Sequence, residues 1–168
     1  MTISDAVCHR LRDDALVRTF VAARVYQLKL PQQPTLPAIR VQLVSEPAIY
    51  HLRGVTNLYQ AVVQVDAFAN EYDLVRPDPY DTVQQLSDAI ESCLSGARFS
   101  LPPITVTGSI RITRQPLYDA EELRLARLMQ EYRLTYHGAA VMPAPIITQD
   151  QQIGRSADPK NRSDTCQT

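Results

Sequence analysis

Two runs of strict alternation, Leu36–Ser45 and Leu58–Ala69, constrain this chain more than anything else in it. In the first, Ile39, Val41 and Leu43 are separated by Arg40 and Gln42. In the second, Tyr59, Ala61, Val63, Val65 and Ala67 fall on one parity, and Gln60, Gln64 and Asp66 fall on the other. Successive side chains of an extended strand point to opposite faces. Each run therefore lays one face on a core and turns the other towards water or a partner. A polar break around Arg53-Gly54 separates them, as expected of neighbouring strands in one sheet. Leu58, Val62 and Phe68 interrupt the polar parity, which favours partial coverage of that face.

The flanking segments supply helices. Thr2 can cap a first helix, with Asp5 reaching back as its capping-box partner. Ile3, Val7 and Leu11 then recur at helical spacing, and Asp13-Asp14 interrupts or restarts the helix before Leu16, Val17 and Phe20. Arg24–Leu28 reads as a short strand. Pro31, Pro34 and Pro37 forbid regular structure after it, because proline lacks the amide donor and restricts the residue before it. Asp78-Pro79 opens a second helix, with aspartate at the cap and proline at the first helical position. Val83, Leu86, Ile90, Cys93 and Leu94 give it one apolar stripe, and Gly96 is placed to end it.

Beyond Pro102-Pro103 a third alternating run places Ile104, Val106, Ile110 and Ile112 on one face. Thr105, Thr107, Ser109 and Arg111 fall on the other. The segment 123–137 carries two competing signals. Glu121 to Glu131 has helix-forming composition, whereas Leu128, Tyr132, Leu134 and Tyr136 alternate as a strand does, with Arg133 and Thr135 outward. The reading adopted is a strand antiparallel to 104–115. These elements predict an α+β fold: one mainly antiparallel, mixed β-sheet with two helices on one face, spanning residues 1–138. Residues 139–168 change character, with Pro143, Pro145 and a Gln-Asp-Gln-Gln run. Their composition predicts an extended, flexible tail that cannot form a core alone.

Several function classes are disfavoured. The formal net charge of −1 gives no basic excess of the kind nucleic-acid-binding domains show. The N-terminal residues lack the basic and apolar regions of a secretory signal, and no apolar run approaches the roughly 20 residues of a membrane span. Cytoplasmic synthesis is therefore expected. Cys8, Cys93 and Cys166 are too widely spaced for a zinc ribbon or disulfide framework. His9, His51 and His137 have no acid or cysteine at ligand spacing. Asp73, Asp78 and Asp81 lack the register of a calcium loop, and the glycines are too dispersed for a phosphate-binding loop. No catalytic residue, cofactor or metal is expected. The polar sheet face, with Arg40, Gln42, Gln60, Gln64 and Asp66 and with Thr105, Thr107 and Arg111 of the third run, admits two readings: a solvated face, or a contact with another subunit or partner.

The order of these elements is that of a known family. Arg24-Val25-Tyr26, the proline-rich loop, Leu36-Pro37-Ala38-Ile39 and the strand Tyr59–Ala69 with its Gln64-Val65-Asp66 core precede a helix bearing Leu86, Ala89 and Ile90. Over residues 3–137 the chain resembles the tail-completion, or tail-terminator, proteins of long-tailed phages, prophages and gene transfer particles. The loop 70–78 is long for that family and the segment beyond Gly138 looks like an addition to it. The resemblance implies a virion protein of the tail neck that forms a homo-oligomeric ring, hexameric in the family. Such a ring caps the head-proximal end of the tail tube, ends tube polymerisation and presents the head-joining surface. The implied partners are further copies of the chain, the tail tube protein and a head-completion or stopper protein, with DNA only as cargo passing through the ring. The rival readings are another neck adaptor, a tube-type subunit, or a small-molecule-binding α+β domain.

Overall fold

The computed structural model describes residues 1–51, 54–70, 78–118 and 125–138. The expected tail 139–168, and with it the domain boundary, lies outside the described residues, as does most of the loop after Asn70. Three helices and seven strands follow in the order α1 (Ile3–Asp13), α2 (Ala15–Val21), β1 (Val25–Gln27), β2 (Ala38–Ser45), β3 (Ala48–His51), β4 (Gly54–Asn70), α3 (Pro79–Leu94), β5 (Phe99–Leu101), β6 (Ile104–Tyr118) and β7 (Leu125–His137).

Local chemistry sets the helix boundaries. The Thr2 hydroxyl accepts from the Asp5 amide, while the Asp5 carboxylate accepts from the Thr2 amide at 2.8 Å. That backbone bond, set against modest burial, lowers the Asp5 pKa. Asp14 ends α1 and caps α2, its Oδ1 accepting from the amides of Leu16 and Val17 at 3.0 Å each. The expected restart is thus one residue in an extended conformation joining two helices. Asp78 caps α3, accepting from the Tyr80 and Asp81 amides, with Pro79 behind it. Past Ser95, Gly96 takes a φ of +71°, a left-handed conformation that favours glycine.

The strands form one sheet in the order β1-β2-β4-β7-β6-β5, with β3 paired to β4. Only β1 and β2 run parallel; the other pairs are antiparallel. The segment with conflicting signals is the strand β7, the partner of both β4 and β6. Its ladder with β4 runs without a shift from Leu58↔His137 to Asn70↔Leu125. The helices cover one face. Ile39, Val41, Ala61, Val63, Val65 and Ala67 meet Ile3, Val7 and Leu11 of α1 and Val83, Leu86 and Ile90 of α3 in one core. Beneath α3, the Gln130 amide donates to the Ser87 hydroxyl at 2.6 Å and its carbonyl accepts from the Tyr132 hydroxyl at 2.9 Å, so these buried polar groups are satisfied.

The third run departs from the expected pattern. Ile104 and Val106 enter the core, but Ile110 and Ile112 are 68% and 45% exposed, while Ser109 is buried. The β6–β7 register shifts between Val106 and Gly108 and again between Arg111 and Thr113. One inserted residue turns every following side chain to the opposite face. Arg111 consequently points to the helix side and pairs with Glu91, and Arg114 pairs with Asp88 at 2.7 Å. These pairs tie α3 to β6.

Candidate functional site

The helix-free face of the sheet gathers the polar parity of β2, β4 and β7. Register puts Arg40 opposite Asp66, Gln42 opposite Gln64, and Gln60 opposite Thr135. Asp66 is the centre of a saturated cluster. Arg40 donates to its Oδ2 through Nε at 3.0 Å and Nη2 at 2.7 Å. Arg127 donates to Oδ1 through Nε at 3.2 Å and lies within 3.1 Å of it through Nη2. The Gln64 amide donates to both oxygens at 3.0 Å. Phe68, one residue pair along, has both guanidinium carbons 5.6 Å from its ring centroid. Charge-assisted bonds and cation–π contact thus reinforce each other across three strands.

The expected face residues divide on this geometry. Asp66 has no exposed surface, so anything approaching this part of the face meets the arginines and glutamine around it. Arg40, Gln42 and Gln64 are half-buried beside one another, while Gln60 is exposed four residues before Gln64 on β4, about 13 Å away at strand rise. Of the further polar residues of the third run, Arg111 leaves this face because of the bulges. Arg133 lies outward as the alternation of β7 indicates, whereas Arg127 and Ile110 were missed. Their place on the face depends on the β4–β7 and β6–β7 registers, which no local pattern encodes. A lone aspartate on a strand beside an arginine-bearing strand was the available signal that Arg127 would join.

The arrangement suits holding a surface in shape. Among the described residues no group of histidine, cysteine, aspartate or glutamate is placed to hold a metal ion. The thiols of Cys8 and Cys93 are buried, and desolvation pushes both up to about 11. Burial likewise raises the Tyr132 and Tyr136 phenols, the latter helped by its bond to Glu46. No helix among the described residues is long and apolar enough to cross a membrane.

Fold and face together define a single-sheet α+β subunit with helices on one side and a charged, sparsely apolar surface on the other. Residues 5–137 match the family of the tail completion protein gp17, and the chain belongs to that family. It is therefore a structural component of phage-type tails. A solved chain from the virion of a native gene transfer agent particle has the same fold. It is 20% identical at a TM-score of 0.60, over 81% of this chain and 95% of that one. A second solved chain, 14% identical at a TM-score of 0.45 over 85% of this chain and 100% of its own, is too distant to add to the fold. No curated protein matches the chain.

Proposed function

We propose that six copies of this chain close into a ring that caps the head-proximal end of a phage-type tail tube. The ring ends tube polymerisation and offers the surface to which the head is joined. The observation that carries this reading is membership of the tail completion family across residues 5–137, which takes in nearly all of the helical layer and the sheet described above. A ring shares the symmetry axis of a tube, so each subunit repeats one contact with one tube subunit, and weak contacts add through multivalency. The partners are other copies of the chain, the tail tube protein and a head-completion or stopper protein, with DNA passing through the ring only as cargo. The finished protein resides at the neck of the virion. The task requires binding and no turnover.

The face bearing Arg40, Gln42, Gln60 and Gln64 is the proposed contact surface, with Asp66 holding its arginines in place. Light scattering coupled to size exclusion tests ring formation, and a mass of six subunits is expected. Deletion of the gene tests termination: it should leave filled heads without tails beside free tails of irregular, excessive length. Heads attached to tails of normal length in the deletion strain would overturn this reading.

A further inference from the structure

On the helix-free face, Arg133 is exposed between two aliphatic residues, Val62 of β4 and Ile110 of β6, which are its register partners on either side. The first bulge of β6 brings Ile110 there, and bulges often re-aim side chains at functional surfaces. Arg133 has no ion pair among the described residues. An arginine flanked by apolar side chains at the middle of a sheet is the composition of an interface hot spot.

The helical layer offers two surfaces that such a row could meet on another copy. The α1–α2 surface sets Arg10, Arg12 and Arg18 against Asp5, Asp13 and Asp14 and so offers no net charge to attract a face on which arginines outnumber acids. Helix α3 has Asp81, Asp88 and Glu91 and no basic residue. Asp88 and Glu91 are bound to Arg114 and Arg111, which leaves exposed Asp81 without an ion pair among the described residues, beside Tyr80 at 38% exposure. Leu16 of α2 is exposed as Tyr80 is, so apolar character does not separate the two surfaces, and it is the absence of any basic residue that selects α3.

We infer that neighbouring copies meet head to tail, the Tyr80–Asp81 edge of α3 on one copy seated against the Val62–Arg133–Ile110 row of the next. The contact rests on the ring reading and gives it a mechanism. The two surfaces lie on opposite sides of one subunit, so the contact is heterologous and repeats from copy to copy until the rotation closes. Asp81 pairs with Arg133, and the Tyr80 ring covers the aliphatic side chains beside it.

The test is charge reversal in the full-length chain, with mass read by light scattering and folding read by circular dichroism. Asp81→Lys and Arg133→Glu should each lose the ring while keeping the wild-type spectrum, because both side chains are exposed. Combining the two in one chain should restore the ring. Tyr80→Ala, which removes an exposed ring and leaves the charges alone, should raise the concentration needed for assembly about tenfold or more. Single variants that assemble like wild type, or a double variant that does not recover, overturn this contact and leave the ring reading standing. A wild-type chain that stays monomeric overturns the ring reading and this contact with it.

Discussion

Asp66 shows how one buried carboxylate can organise a surface it does not reach. Replacing it with alanine removes the carboxylate that the Arg40 and Arg127 guanidiniums share beside Phe68. Breaking a buried ion pair by removing one partner costs about 3–5 kcal/mol. Here the arginines are 23% and 18% exposed and recover some hydration, so a loss of about 2–3 kcal/mol is expected. Equilibrium denaturation of Asp66→Ala against wild type measures it, and unchanged stability would show that the cluster contributes nothing to the fold.

The cysteines permit a second check. With both thiols pushed up to about 11 by burial, Cys8 and Cys93 should resist alkylation of the folded protein at pH 8 and react once it is denatured. Since the folded pKa lies above the ordinary value of 9.0, their contribution to stability is complete below pH 9. It is lost as pH rises towards 11, because the unfolded chain ionises first. Mass spectrometry after a labelling pulse reads the first effect, and denaturation midpoints across that pH range read the second.

At the scale of elements, legibility follows how local each determinant is. The Thr2 and Asp78 caps, the α3 stripe and the parities of β2 and β4 are each set within a few residues, and all were readable. The strand β7 was harder, because Glu121–Glu131 has helical composition and only the alternation of Leu128, Tyr132, Leu134 and Tyr136 opposed it. Pairing on both edges decides such a case, since propensity is worth tenths of a kcal/mol per residue and burial between two strands is worth more. The bulges of β6 were not read. The isolated Gly108 sits at the first slip and is the kind of residue that marks a bulge, but nothing marks the second, and the plain alternation kept Ile110 and Ile112 on the face of Ile104. Both β1 and β5 have only three residues and show no period; β1 was read from the β-branched and aromatic pair Val25-Tyr26, whereas β5, running into Pro102-Pro103, was not read.

This inversion yields a sharp comparison. Ile104→Ala should cost about 2–4 kcal/mol by opening a cavity in the core, while Ile110→Ala should stay within about 0.5 kcal/mol in the isolated subunit. Equal losses from the two would return Ile110 to the core and remove the bulge. Ile90→Asp, which puts an unpaired carboxylate on the buried side of α3, should yield no soluble protein.

For the whole molecule, the core closes within the described residues, with β7 ending at His137 and Gly138 lying against the Tyr59 ring. We propose that residues 139–168 form a separate extended segment added to a domain that is complete without them. A chain ending at Gly138 should then unfold cooperatively with a midpoint within a few degrees of the full-length protein. A large drop would place part of that segment in the core.

The position of β7 bears on when a subunit becomes competent. Its residues 125–137 are the last of the described strands to leave the ribosome, yet they occupy a middle place in the sheet, joining β4 to β6. Until they emerge, β4 and β6 have no hydrogen-bonding route to one another, and closing the sheet must await contacts far apart in sequence. A chain interrupted during synthesis therefore lacks the row that carries Arg133 and the partner that turns Ile110 outward. On the contact proposed above, such a fragment has no surface to offer a neighbouring copy, and the order of translation itself screens out incomplete chains.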